Sequence, residues 1–567
     1  MRGGDPGRED EGNYKPLAMT ENLSGRGRAL AAYVVTAEEM QQIEQRLFDA
    51  GMPVAALMEK VSARLVCWFC AHLKTLFSAG GELQPTLHKI GVLAGPGHNG
   101  GDALTVAREL HHLGFRVCVY QPFDSCKPLT QQHANYVKHL GIPFVDGVQH
   151  LAECDAIVDG WFGFGLTRPI SGALARDIDA LNQQSVPVFS IDLPSGIHTD
   201  TGRVMGSAIA ATHTACLGLW KRGFMQAQSL SYFGKCELIE FDIPLSDVAA
   251  VLGEVPAVQR LVDSEMLAAL PLDRSVTAHK YKAGHLLLIA GSRQYAGAAL
   301  LTGLGAISSG VGMLTLAVPE SIRLSLLPEL PGALLVGCVE TDEGAIAALP
   351  DTLDLKKYDA IALGPGLTST VPTLLSQLLD TETPLLLDAD GLNLLAKTKV
   401  AESLQNRLAP TVLTPHEGEF RRLFPDIYAQ RSDQTLPGEL AVQAAEESGA
   451  IVLMKGPRST MAQPPHPLHG RMAADSTLDS TLWFNPESTP ALARGGSGDV
   501  LTGLMGGLVA AAHAEEKDIM LAVLSAVWWH SQAAILSSQQ RTVLGVDPLQ
   551  LAHSLNMALQ AVGSVID

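Results

Sequence analysis

Basic runs are missing from this 567-residue sequence: its 40 lysines and arginines are dispersed, and 59 aspartates and glutamates give a formal net charge of -19. Such a surface offers no stripe for a nucleic-acid backbone or an anionic membrane, so both partners are excluded. Charged residues make up only 17% of the chain and apolar ones 47%, which excludes a disordered or fibrous protein and fits a compact globular enzyme. Eight cysteines at scattered spacings, without a secretory leader, exclude a disulfide framework and point to reduced thiols in a cytoplasmic protein. Cys67 and Cys70 form a C-x-x-C, but within "SARLVCWFCAHL" the apolar residues recur at helical spacing, so core packing is expected rather than redox chemistry. No G-x-x-x-x-G-K-[ST] occurs, which excludes a P-loop. The uncharged stretch from Tyr295 to Pro319 is long enough to cross a bilayer, yet five glycines and the break "ISSG" divide it into a helix and the strand "MLTLAVP" of a buried unit.

A chain of this length has material for two or three cores. Residues 1–35 are Gly-rich, polar and charge-balanced, and are expected to be a disordered extension. From residue 36 two helical patterns separated by "AGMP" open a domain that runs to 243, the first capped by Thr36 with Glu39 three places on. The runs "KIGVLAG", "RVCVYQP", "CDAIVDG" and "VPVFSIDLP" then alternate with helix-length segments, the pattern of a parallel sheet covered on both faces. Residues 244–269 carry no clear sheet signal and read as a linker. A second series fills residues 270–567: "HLLLIAG", "MLTLAVP", "YDAIALGPG", "TPLLLDADG", "PTVLTPH" and "AIVLMKG". The expected fold is therefore α/β, with two doubly wound domains. The Pro-, Ser- and Thr-rich residues 461–490 are expected to include a surface hairpin or loop.

"GPGHNGGD", residues 95–102, follows the first of these strands and fits G-x-G-x-x-G. A dinucleotide fold also needs an acidic residue at the end of the second strand, where this chain has Tyr120 and Gln121, so the fingerprint is incomplete. What the loop adds is polarity: Asn99 and Asp102 lie among glycines that leave backbone N–H groups free for a polar ligand. Two further strand ends carry oxygen ligands, Asp159 in "VDGWFGFGLTRP" and Asp192 with Ser195 in "IDLPSG". Converging in one sheet, the three loops supply a carboxylate, an amide and a hydroxyl for a hard monovalent cation, and a spare carboxylate for proton transfer.

"GPGHNGGDALTVAREL", "VDGWFGFGLTRPISG" and "IDLPSGIHTDTG", in this order, resemble the NAD(P)H-hydrate epimerase domain over residues 36–243. The resemblance implies that Asn99, Asp159 and Ser195 hold a potassium ion (K+). It places His98, Asn99, Gly100, Gly101 and Asp102 against substrate, together with Gly163, Phe164, Gly165, Leu166, Thr167, Arg168 and Pro169. Asp192 would contact substrate too and move the proton. The family usually has two asparagines where this chain has His98 and Asn99.

In the second half "GGSGDVLTG" puts glycines before Asp499 and an apolar helix after it. Backbone N–H groups at such a helix start can hold phosphate oxygens while the carboxylate takes a hydroxyl proton, as phosphoryl transfer to an alcohol requires. With "LGPGL", "LLLDADGLNLL", "VLTPHEGEFRRL" and "VLMKGPRST" in register before it, the segment resembles the ADP-dependent NAD(P)H-hydrate dehydratases, which have a ribokinase-like fold, over residues 270–565. The resemblance implies nucleotide contacts at Lys455, Gly456, Pro457, Arg458, Ser459 and Gly498, and substrate contacts at Ala298, Gly366, His416 and the catalytic Asp499, with Mg2+ and ADP as cofactors. Arg494 replaces a small residue common before the glycine pair.

Chains joining both likenesses resemble the bifunctional NAD(P)H-hydrate repair enzymes. The implied activity is exchange of the R and S epimers of hydrated NADH and NADPH in the first half, and ADP-driven dehydration of the S form in the second. Self-association into a homo-oligomer is expected through apolar helices. The other reading is a ribokinase-like kinase for a vitamin-precursor alcohol, with a non-catalytic N-terminal binding module.

Overall fold

The structure is a computed structural model that describes residues 25–77, 83–272, 279–368, 372–405, 407–432, 435–464 and 482–566. Short Val-, Ile- and Leu-rich runs buried on both faces form two sheets, because only a strand covered on both sides can be apolar throughout. The first has seven strands in the order Phe144–Val145, Arg116–Tyr120, Lys89–Ala94, Ala156–Gly160, Val188–Ile191, His213–Leu217 and Lys235–Ile239, with every neighbouring pair parallel. The order reverses between Lys89–Ala94 and Ala156–Gly160, so a crevice opens beyond their carboxyl ends. Asp159, Asp192 and the 95–102 loop all lie there.

The second sheet has eleven strands. Its centre runs Ile451–Met454, Thr411–Leu413, Leu385–Leu387, Ala360–Leu363, His285–Ile289, Met313–Pro319 and Leu334–Glu340, all parallel. The uncharged stretch forms helix Ala296–Ser308 and strand Met313–Pro319, as its glycines indicate. That helix lies close against helix Ser497–Ala514, where Gly503 is obligatory: a Cβ there would stand 1.8 Å from the carbonyl oxygen of Thr302. Helix Ile519–Arg541 is long and apolar enough to cross a membrane, but 72% of its apolar window is buried within the fold.

Several expectations need correction. Residues 25–35 are folded: helix Gly25–Ala32 and strand Val34–Val35 pack on the first domain, the strand pairing in parallel with Trp220–Lys221. A polar average hid a small apolar set, Leu30, Val34 and Val35, each buried. Residues 1–24 lie outside the described residues. The 244–269 segment contributes helix Leu245–Leu252 beside helix Ala37–Asp49, then strand Val258–Arg260, paired in parallel with Leu482–Phe484 at the edge of the second sheet. Three residues ending in Gln-Arg have neither alternation nor an apolar run to betray a strand. Thr460–Ala462 and Leu482–Phe484 form the anticipated hairpin, its residues 465–481 lying outside the described residues. Cys70 packs on the core, whereas Cys67 of the same helix is exposed.

Leu30 is wholly buried against the first core. Leu30→Ala should lower stability by about 2–5 kcal/mol, read as a shifted urea midpoint; a change near zero would show that the 25–35 segment is not part of that core.

Candidate active sites

The loop Gly95–Pro96–Gly97 enters helix His98–His112, and its glycines are needed first for packing. A Cβ on Gly95 would stand 1.8 Å from the carbonyl oxygen of Trp161, and one on Gly100 1.9 Å from that of Gly95. The helix start is thereby pressed onto the strand end that carries Asp159, its first N–H groups unclaimed by the helix. His98 is exposed at this start; partial desolvation, and then the nearby Lys127, lower its pKa, so the ring is neutral near pH 7.

Asp159 is fully buried, and burial raises its pKa above the usual carboxylate range. Ser195 Oγ and the Trp161 N–H donate to its Oδ1 at 2.6 and 3.3 Å, and Ser190 Oγ and the Ser195 N–H to its Oδ2 at 2.8 and 2.9 Å. Ser195 Oγ also accepts from the Phe162 N–H at 2.9 Å and lies 3.4 Å from the Phe162 carbonyl. The next residue, Gly163, faces the Asn99 amide, whose Oδ1 would be 3.4 Å from a Cβ at that position. The Asn99 Nδ2 atom is buried without a partner. Since the two amide ends are assigned only by their surroundings, a turned amide would present an unbonded oxygen here. Asn99, Asp159 and Ser195 are thus gathered around the Phe162–Gly163 peptide.

Asp192 borders the same loop. Its Oδ2 accepts from the Phe164 N–H at 2.9 Å, and its Oδ1 accepts from Lys221 Nζ at 2.5 Å. Its backbone is left-handed, with φ +68°, a conformation that costs a non-glycine residue about 1–3 kcal/mol and recurs at functional sites. Lys221 escaped the sequence reading. It is wholly buried and also donates to the Leu217 carbonyl. Burial pulls its pKa down, but Asp192 more than offsets this, leaving an ammonium. Asp102 and Glu44 complete the electrostatics: burial first, then their neighbouring carboxylates, push Asp102 well up, and burial holds Glu44 at about 7 despite Lys221. Phe164 packs inward, while Gly165, Thr167, Arg168 and Pro169 form an exposed rim with Leu166 half-buried.

In the second half a buried carboxylate again joins the strand ends. Asp388, at the end of Leu385–Leu387, accepts from Lys455 Nζ at 2.6 Å, Thr414 Oγ1 at 2.8 Å and Thr502 Oγ1 at 2.6 Å. Burial works against its charge, but Lys455 and the two hydroxyls prevail and its pKa is lowered. Asp388 lies in "LLLDADGLNLL", where nothing local distinguishes it from Asp390. It ties the Lys455 ammonium to helix Ser497–Ala514, so that a Cβ on Gly498 would stand 3.7 Å from Lys455 Nζ. Asp499 follows in the first helical turn, its carboxyl raised to about 7 by burial and then by Asp388, against the pull of Lys455. His530, also missed, is buried in helix Ile519–Arg541 with Nε2 2.9 Å from the Ser497 carbonyl. Burial lowers its pKa to about 4, so it is a neutral donor that anchors this helix start.

Of the other expected residues, His416 is brought to Lys455 and Gly366 to Ala298, whereas the Arg458 guanidinium is directed elsewhere. His416 bridges in parallel to Lys455; its Nδ1 accepts from the Gly418 N–H at 2.9 Å and caps helix Glu417–Leu423, leaving the exposed Nε2 edge 3.5 Å from Glu419. Gly366, with φ +70°, approaches Ala298 so closely that a Cβ would stand 2.8 Å from the alanine methyl. Gly456 and Pro457 are exposed and Ser459 half-buried, whereas the Arg458 guanidinium turns away to the Pro486 carbonyl. Arg494 also points away, donating to the Val546 and Leu544 carbonyls at 2.8 and 3.3 Å.

Comparison with known proteins divides the chain at the same place. Residues 54–223 match the family model described as YjeF-related protein N-terminus, and residues 286–556 the one described as NAD(P)H-hydrate dehydratase. The bifunctional NAD(P)H-hydrate repair enzyme Nnr of Synechocystis sp. is 52% identical over 523 residues, spanning 92% of this chain and 94% of its own. That of Thermosynechococcus vestitus is 48% identical over 532 residues, spanning 94% and 98%. A crystal structure of the ADP/ATP-dependent NAD(P)H-hydrate dehydratase from Bacillus subtilis, co-crystallized with ATP/Mg2+, is 31% identical, covers 53% of this chain and 98% of its own, and has a TM-score of 0.43. With two near-full-length relatives at about half identity, this chain belongs to the family of bifunctional NAD(P)H-hydrate repair enzymes.

Proposed function

We propose that the first half exchanges the R and S epimers of hydrated NADH and NADPH, and that the second dehydrates the S epimer at the expense of ADP. The observation that carries this is one poised carboxylate per half at a crevice of its own: Asp192 held by Lys221 and the Phe164 N–H, and Asp499 held near neutrality beside Lys455.

In the first site Asp192 moves the proton at the hydrated carbon's substituent, while the helix start at His98 to Asp102 and the rim from Gly163 to Pro169 hold the nucleotide. The donor set beside it fits K+: one carboxylate, Asp159, among neutral oxygens from Ser195 and a turned Asn99 amide, with burial raising the carboxyl's pKa so that a cation would favour its charged form. Such an ion would supply fixed positive charge for an anionic ligand. The presence together of Asn99, Asp159, Asp192 and Ser195 tells against a passive binding module.

In the second site hydroxide is a poor leaving group, and transfer of a phosphoryl group to the substrate hydroxyl makes it a good one. Asp499 accepts the hydroxyl proton as the oxygen attacks. Lys455 and the N–H groups at Gly498 offset the charge on the phosphates, with Gly456, Pro457 and Ser459 flanking the nucleotide and Ala298, Gly366 and His416 the nicotinamide, while the Arg458 guanidinium stays turned away toward Pro486. Among the described residues no three acidic, histidine or cysteine side chains gather to hold a metal, so Mg2+ would arrive on the polyphosphate and neutralise it there. The reading includes a cytoplasmic enzyme, supported by eight unpaired thiols, and a homo-oligomer, supported by exposed Leu324, Leu327, Leu334 and Val339 on adjoining elements.

Recovery of the near-ultraviolet absorbance of reduced nicotinamide from mixed epimers with ADP tests both halves: full recovery needs both, and none would refute the dehydratase. Asp192→Asn should stop epimer exchange and halt recovery at about half, because dehydration of one epimer persists; unchanged exchange would remove Asp192 from the mechanism. Asp499→Asn should lower dehydration at least about 100-fold while leaving exchange intact. Asp499 must be ionised to accept a proton, and its pKa is raised to about 7, so dehydration should fall as pH drops through neutrality. A pH profile flat across that range would contradict its role as base.

A further inference from the structure

Charge is left unneutralised in the seam between the two halves. Arg260, at the end of strand Val258–Arg260, lays its guanidinium over the Trp220 ring, 4.5 Å from the centroid. Trp220 precedes Lys221 of the first site and is itself buried, with its indole Nε1–H lacking an acceptor. On the other side of the intervening strand, Arg458 reaches the same end of the sheet. It donates to the carbonyl of Pro486, two residues beyond Phe484, the pairing partner of Arg260. The Nε–H of each arginine is buried and also lacks an acceptor. Neither guanidinium forms an ion pair among the described residues.

The surrounding groups do not supply the missing charge. Glu487 acts on both arginines and Asp263 on Arg260, but from a distance: Glu487 is exposed and engaged by Gln532 at 3.3 Å, and Asp263 accepts from Trp528 Nε1 at 2.8 Å. Cys236, on the facing strand Lys235–Ile239, stays a neutral thiol, since burial raises it to about 12. Two like charges and three orphaned donors crowd a water-poor seam, an arrangement that favours an anion with several acceptor oxygens. Guanidinium forks match the oxygens of a tetrahedral oxyanion.

We propose that Arg260 and Arg458, with the Trp220 indole N–H, form a phosphate seat at the junction of the two halves. Only the choice of phosphate over other oxyanions rests on the reading above, in which phosphate is released by dehydration. The seat takes free inorganic phosphate, and competition by a nucleotide is an outcome of the test that would overturn it.

Inorganic phosphate is titrated calorimetrically into the full-length protein in phosphate-free buffer, with and without saturating ADP, which fills the phosphate positions of the second active site. Saturable one-site binding that persists with the nucleotide present is expected, weakened about tenfold or more in Arg260→Met, a change of about 1.4 kcal/mol or more. Arg260→Lys, which keeps charge without the fork, should fall between. Absence of saturable binding, displacement by ADP, or unchanged affinity in Arg260→Met would each overturn the seat. Dehydration assayed on the same preparations keeps the questions apart: retained turnover without phosphate binding removes the seat alone. If Arg260→Met fails to fold, the nucleotide-displacement arm on the unaltered protein still decides.

Discussion

A carboxylate taken wholly out of water survives only if its lone pairs find donors, and each half of this molecule is arranged round one that meets this demand. Asp159 draws the Trp161, Ser190 and Ser195 segments to one point. Asp388 does the same for Lys455, Thr414 and Thr502. Neither is proposed to react. Each fixes, to within a hydrogen-bond length, a residue three places beyond the reacting carboxylate: Ser195 after Asp192 at a strand end, and Thr502 after Asp499 in a helix.

The two hubs are solved differently, and the difference sets the chemistry beside them. Round Asp159 all donors are neutral, so the site carries excess negative charge and suits a cation. Round Asp388 one donor is an ammonium, so the charge is internally balanced and Lys455 can still present positive potential at Gly498. Asp499 then feels burial and two carboxylates against one lysine, which is why it titrates near neutrality rather than as an ordinary aspartate.

Most of the fold was legible because buried parallel strands announce themselves as apolar runs; the ends of those runs gave Asp159 and Asp192, and the glycines ahead of an apolar helix gave Asp499. Lys221, Asp388 and His530 were missed for a common reason: each is a polar residue whose partner is remote in sequence, such as Thr502 for Asp388. The available signal was a lone polar group in apolar surroundings, Lys221 in "CLGLWKRGF" and His530 in "AVWWHSQ". The strand at Val258–Arg260 was illegible on local grounds, since its existence depends on Leu482–Phe484 offering an edge more than 200 residues later.

That strand also governs how the molecule can be divided. The connection between the halves is not a tether but the outermost member of the second sheet, followed by helix Asp263–Ala269 against helix Ile519–Arg541. A fragment begun after it would leave the backbone amides and carbonyls of Leu482–Phe484 unpaired, a ready template for cross-chain association. Severing the two activities cleanly therefore requires a cut ahead of Val258, and the halves have been joined at a point where fusion contributes to folding.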